Sequence, residues 1–443
     1  MEAAPVPVAE TKTRRPEPSF AVTGLLVTDS VMVVPLDYSG KLPGTISLFY
    51  RQVVHRNKHE EEDLPYLVYL QGGPGFESPR PLDSSGWLKQ AAGYFRVILL
   101  DQRGTGLSTA VTPQNLPERG SPAQQAAYLS CFRADSIVED CERLRAALVP
   151  SRVREGRWSV LGQSFGGFCC AAYLSRRPEG LAEALFTGGL PPLVSSPCAA
   201  PEVYRRLARR VLLQNRRYYE RFPADVARAA AIVRHLADQP QGWVETPAGN
   251  RLTPRAFQSL GLSALGFSHG FERLHYLLEQ AWDGSRLSLR FCKEFDSWAS
   301  WDTNPLYALL HESIYCQGDE ASLWAAQRAL DAPELRREFD AVAAARENRQ
   351  VNFTGEMVFP WMFEDFKALR PLAETAQILA EKRDWTPLYD AERLARNAVP
   401  AAAVAYFEDM FVDFDLSQGT AQAIKGLRLW VTNEYLHCGI REG

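Results

Sequence analysis

Cysteine is scarce in this chain: eight residues in 443, at positions 131, 141, 169, 170, 198, 292, 316 and 438. No two of them form a Cys-x-x-Cys pair, which excludes the common zinc-ribbon and thioredoxin-like signatures. A basic excess is also missing. Lys and Arg total 49 against 53 Asp and Glu, a formal net charge of −4. Without surplus positive charge to neutralise phosphates, nucleic acid is not an expected partner. No run of about 18 apolar residues occurs, so no membrane-spanning helix and no membrane partner are expected. The first 19 residues carry prolines at 5, 7, 16 and 18 and lack the apolar core of a secretory signal. They read as a disordered arm, and with the sparse cysteines they point to the cytoplasm. Internal repeats and low-complexity tracts are absent as well. His55 and His59 stand four apart in the charged segment 55–63, but that segment reads as a loop without a third ligand, so no metal is expected there.

What remains is ordinary globular composition, long enough for two or three domains or for one domain with a large insertion. Runs rich in Val, Leu, Ile, Phe and Tyr at 21–28, 30–35 and 45–54 predict antiparallel strands. Residues 66–70 and 95–100 are apolar without alternation, as in parallel strands buried on both faces. A helix is expected at 135–148, a strand at 158–161, a helix at 165–176 and a strand at 185–187. From about 195 to 397 the pattern turns helical, clearest at 203–217 and 223–238. Strand signals return at 399–407 and 427–431. A strand-helix sheet at both ends with about 200 helical residues between predicts an α/β core carrying an inserted helical cap.

The sharpest chemical signal is Gly162-Gln163-Ser164-Phe165-Gly166, between a predicted strand and a predicted helix. A G-x-S-x-G element there makes a strained turn that lifts the serine hydroxyl clear of its surroundings. Acyl transfer from such a serine needs two backbone N–H donors for the developing oxyanion. Phe165, next after the serine, supplies one, and the loop Gln71-Gly72-Gly73-Pro74-Gly75 after an earlier strand supplies the other, with Gly73 as the candidate. The serine also needs a base and the base an orienting acid, in the order Ser, Asp or Glu, His. Of histidines 55, 59, 235, 269, 275, 311 and 437, His437 alone lies in the returning α/β segment. The strand at 399–407 leads to Asp409, with Asp413 as the fallback acid. His269 and His275 are six apart, on different helix faces, and read as cap structure.

Taken together, these motifs resemble the proline iminopeptidase (prolyl aminopeptidase) family of serine peptidases, α/β-hydrolases with a helical cap. Residues 71–75 are similar to the family's HGGPG, with Gln at the first position. Residues 101–108 match DQRG-x-G-x-S, and 162–167 match G-x-S-x-G-G. Residues 406–412 align with the family's GRYD-bearing strand end, which places the aspartate on Asp409, although Tyr406-Phe407-Glu408 replaces Gly-Arg-Tyr. The resemblance covers 20–195 and 398–443 and is weaker in the cap.

It implies an α/β-hydrolase fold with a large inserted helical cap: an arm over 1–19, a core over 20–195 and 398–443, and a cap over 196–397. It implies release of N-terminal proline from short peptides by Ser164, His437 and Asp409, without cofactor or metal. It also implies cap glutamates that hold the substrate's cationic amine. Glu312 and Glu356, both in uncharged aromatic surroundings, are the candidates. Trp298, Trp301, Phe359 and Trp361 are candidates for lining an apolar proline pocket. A carboxylesterase or other small-molecule hydrolase is the alternative on the same fold, and a non-catalytic binding scaffold is a second.

Overall fold

The computed structural model describes residues 20–442; the arm expected over 1–19 lies outside them. Strands β1 (Phe20–Val22), β2 (Leu25–Pro35), β3 (Thr45–His55), β4 (Tyr66–Leu70), β5 (Arg96–Leu100), β6 (Trp158–Gln163) and β7 (Leu181–Thr187) are followed by two short hairpins. The hairpins pair β8 (Val244–Glu245) with β9 (Arg251–Leu252) and β10 (Trp282–Asp283) with β11 (Arg286–Leu287). Strands β12 (Ala401–Tyr406) and β13 (Leu427–Thr432) then rejoin the main sheet, whose order is β1-β2-β3-β5-β4-β6-β7-β12-β13. The pairings from β1 through β3 to β5 are antiparallel and all later ones parallel.

The sequence reading breaks β2 at Asp29, yet the strand runs through it. Asp29 lies opposite Arg51 of β3, which donates to its two carboxylate oxygens at 2.6 and 2.7 Å. The same cause extends β7 four residues upstream of the expected start. Its Glu183 is met by Ser159 at 2.9 Å and Arg154 at 3.1 Å. A charged residue whose partner sits on the next strand does not end a ladder.

Strand β4 shows why the central runs do not alternate. Val68 and Leu70 pack toward the layer holding the helices Ala134–Leu148 and Phe165–Arg176. Leu67 and Tyr69 face the opposite layer, with Leu88 and Ala92 of the helix Gly86–Ala92. Both sheet faces are covered, so both sets of side chains are apolar. Between β7 and β12 the chain is mainly helical, from Ala200–Arg221 to Ala391–Ala395. One short helix of that region, Pro305–Leu310, rests on the loops after β4 and β5. A Cβ on Gly75 would stand 2.8 Å from the Tyr307 nitrogen, and one on Gly104 2.8 Å from Leu306. Asn304 donates from Nδ2 to the Gly75 carbonyl at 2.8 Å. No helix among the described residues is long and apolar enough to cross a membrane.

Candidate active site

Ser164 joins β6 to the helix Phe165–Arg176 with φ 55° and ψ −124°, a conformation that L side chains rarely adopt. The turn is this tight because Gly166 backs onto the carbonyl of Leu70, where a Cβ would overlap the oxygen. Ser164 N–H is fixed to the Thr187 carbonyl at 3.0 Å. Its hydroxyl is left without a hydrogen bond to any described residue. Phe165 opens the helix, so its N–H has no acceptor within the helix. Gly73, at φ 132°, follows β4, and its N–H donates to no described residue. A Cβ on the adjacent Gly72 would reach Ser164 Cβ at 2.8 Å, so this loop runs directly beside the serine.

The Gln71–Gly75 loop is held from behind. Gln102 donates from Nε2 to the Gln71 carbonyl at 2.8 Å, and Tyr69 donates from its hydroxyl to Gln71 Oε1 at 2.7 Å. Asp101 accepts two hydrogen bonds from Arg80, at 2.8 and 2.6 Å. Arg103 is fully buried and forks onto Asp140 at 2.7 and 2.6 Å. The Asp101–Ser108 segment is therefore a brace whose charges are all paired.

His437 follows β13 and Asp409 follows β12, both buried. His437 Nδ1–H donates to Asp409 Oδ2 at 2.7 Å. The other carboxylate oxygen accepts from the Phe411 and Val412 amides at 2.7 and 3.0 Å. Phe411 packs its ring on the imidazole, centroids 4.8 Å apart. Burial disfavours the charged imidazolium, but the Asp409 carboxylate, with Glu356 behind it, outweighs burial and raises the His437 pKa.

Ser164, His437, Gly72, Gly73 and Glu356 line one cavity of about 500 Å³. Glu356 is buried there and has no arginine or lysine partner among the described residues. Tyr307 donates to its Oε1 at 2.8 Å. Burial pushes the Glu356 pKa up to about 7, against the pull of His437 and the tyrosine hydrogen bond.

The whole chain has close sequence relatives. A proline iminopeptidase of Aeromonas sobria is 47% identical over 95% of this chain and 95% of its own length. A proline iminopeptidase of Aspergillus aculeatus is 36% identical, over 91% of this chain and 88% of its own. Residues 65–287 match the family model of the alpha/beta hydrolase fold. The chain belongs to the proline iminopeptidase family of α/β-hydrolases. A solved proline iminopeptidase of Mycobacterium smegmatis is 15% identical over 93% of both chains, with a TM-score of 0.40.

Not every residue expected at this family site is there. Glu312 is buried but does not line the cavity. Its oxygens accept from the Ala325 and Ala326 amides at 3.1 and 2.9 Å. The helix Ala325–Leu330 begins at Trp324, a residue that cannot cap it, and Glu312 supplies the missing acceptor from another segment. Asp413 is likewise occupied. It caps the helix Phe414–Ala423 through the Asp415 and Leu416 amides and accepts from Arg210 at 3.2 Å. Trp298 and Trp301 line the cavity, but Phe359 and Trp361 stack on each other away from it. His275 is bound to Asp225 at 2.9 Å and stacks on Phe222, within the helical region.

The sequence reading also passed over residues that shape the site. Tyr307 and Asn304 sit in an apolar helix start, where nothing in the local pattern separates them from packing residues. Gly188 and Gly189 carried a usable signal, a glycine pair closing a predicted strand. A Cβ on Gly188 would stand 3.3 Å from His437 Nδ1.

Proposed function

We propose that this member of the proline iminopeptidase family is a serine aminopeptidase that releases N-terminal proline from short peptides. The carrying observation is Glu356: a buried carboxylate in the serine's own cavity, with no arginine or lysine paired to it among the described residues. Such a group is costly to ionise unless a ligand brings the positive charge. The secondary ammonium of an N-terminal proline brings it, while an ester or an acylated amine does not.

In this reading the amine docks on Glu356 and the ring lies among Trp298, Trp301, Phe267 and Leu262. His437 accepts the Ser164 proton while Asp409 holds the imidazole tautomer. Ser164 attacks the prolyl carbonyl, and the oxyanion takes the N–H groups of Gly73 and Phe165. His437 then protonates the departing nitrogen, and water resolves the prolyl-enzyme. In that second half His437 takes a proton from the water and returns it to Ser164 as proline leaves.

The test compares a prolyl anilide, its N-acetyl twin and a short-chain p-nitrophenyl ester, with Ser164→Ala as the control. The proposal expects cleavage of the free prolyl anilide alone, lost in the variant by at least about 10⁴-fold in kcat. Equal turnover of the acetylated twin, or turnover of the ester alone, refutes amine recognition and leaves a general serine hydrolase.

A further inference from the structure

A second hollow, of about 620 Å³, adjoins the cavity of the serine. Gln71, Phe76, Asn304 and Arg441 line both. The hollow has apolar walls at Phe76, Leu82 and Trp87, and Leu82 is 89% exposed. An apolar side chain left that open beside an active site is ready to be covered by something bound there.

The charged residues around the hollow are not equivalent. Arg80 is committed to Asp101 by two short hydrogen bonds. Glu77 and Asp83 also line the hollow, without lining the cavity of the serine. Arg441 stands at the junction of the two spaces. Its main-chain N–H donates to Cys438 at 2.8 Å, but its guanidinium has no hydrogen-bond or ion-pair partner among the described residues. It lies four residues beyond His437, and its charge is felt by that imidazole.

The direction of the reaction says which part of a substrate meets it. Glu356 takes the amine end and Ser164 the acyl carbon. His437 hands its proton to the departing nitrogen, so the leaving group lies on the His437 side, toward Arg441. We infer that the second hollow receives the leaving peptide and that Arg441 binds its terminal carboxylate. The preferred substrates are then di- and tripeptides that begin with proline, because only a short leaving group puts its carboxylate at the junction. A guanidinium offers a carboxylate two parallel N–H donors, and Glu77 and Asp83 oppose a carboxylate placed deeper in the hollow. The inference rests on the aminopeptidase reading above.

The test measures kcat/KM for Pro-Ala and Pro-Ala-Ala as free acids and as C-terminal amides, beside a prolyl anilide. The readout is the acid-to-amide ratio within each protein, so a general loss of activity cancels. In the wild type, at least one length should favour the acid by about tenfold, and less at high salt. In Arg441→Gln the ratio should fall to within about twofold of one, and Arg441→Lys should restore part of it. A wild-type ratio near one, or a ratio that survives Arg441→Gln, overturns the assignment while prolyl anilide cleavage leaves the aminopeptidase intact. Failure to cleave any of the proline substrates overturns the aminopeptidase reading and this inference with it.

Discussion

Replacing Asp409 by Asn keeps its size but removes one acceptor. If the remaining oxygen serves the Phe411 and Val412 amides, the new NH₂ faces His437 Nδ1 and selects the wrong tautomer. We expect D409N to lower kcat on a prolyl anilide by about 10³- to 10⁴-fold with little change in KM. D413N tests the rival acid. It weakens a helix cap and an arginine contact, so it should cost about 1 kcal/mol of stability and leave kcat within about threefold. The pH profile belongs to the same scale. In the proposed reaction His437 acts when neutral and Glu356 when ionised. The first pKa is raised and the second lies at about 7. Both put the loss on the acid side, so kcat/KM should fall as pH drops through about 7. Glu356→Gln removes a negative neighbour of His437, so the remaining acid limb should move to lower pH. Stability runs the other way. A carboxyl raised on folding contributes fully below its ordinary value of 4.5, and that contribution is lost as pH rises through about 7. At pH 8 E356Q should therefore melt above the wild type, by on the order of 1–3 kcal/mol, and the gap should close toward pH 4.5.

At the scale of elements, the turn from β6 into the helix Phe165–Arg176 depends on a bare Cα at Gly166. A methyl there meets the Leu70 carbonyl, main chain that is fixed within the parallel sheet. Gly166→Ala should cost about 3 kcal/mol or more in urea denaturation. Gly419, exposed in the helix Phe414–Ala423, meets nothing within 4 Å. Gly419→Ala should instead stabilise the protein by up to about 1 kcal/mol, since alanine is the better helix former. The two variants separate a glycine demanded by close approach from one that is merely tolerated. The strands carry the complementary lesson. Asp29 and Glu183 look like strand breakers in a linear reading and are ladder members in the sheet. Their partners, Arg51 and Ser159, come from other strands, so a window of local sequence does not contain the information.

At the scale of the whole molecule, the inserted helices complete the site. The helix Pro305–Leu310 lies on Gly75 and Gly104 of the two sheet loops and sends Tyr307 to Glu356. Asn304, just before that helix, ties it to the loop after β4 by its hydrogen bond to the Gly75 carbonyl. Tyr307→Phe keeps the ring contacts with His311 and Phe76 and deletes the hydrogen bond to the carboxylate. That bond favours the ionised form, so its loss should raise the Glu356 pKa further. KM for a prolyl anilide should rise about three- to tenfold at pH 7 and recover toward the wild-type value at pH 9. A pH-independent rise would mean that Tyr307 acts through packing.

The sequence alone determined the strand-to-helix turn at Ser164, the loop bearing Gly73, the histidine after the last strand and the α/β order with a mainly helical stretch before the last two strands. Each is a local requirement: a glycine where backbones touch, a serine at a strand-to-helix turn, apolar runs where both faces are covered. Asp409 over Asp413 followed from its place just after a predicted strand and from the family resemblance, and the structure places Asp409 on His437 and Asp413 on a helix cap. Between Glu312 and Glu356, both among aromatic residues, the sequence put Glu312 first, and local pattern held nothing to correct that order. Folding separated them: Glu312 met two unpaired helix amides, and Glu356 met the cavity of Ser164, with no arginine or lysine paired to it among the described residues. Which charges are satisfied is a property of partners far away in the chain, and only the tertiary structure brings those partners together.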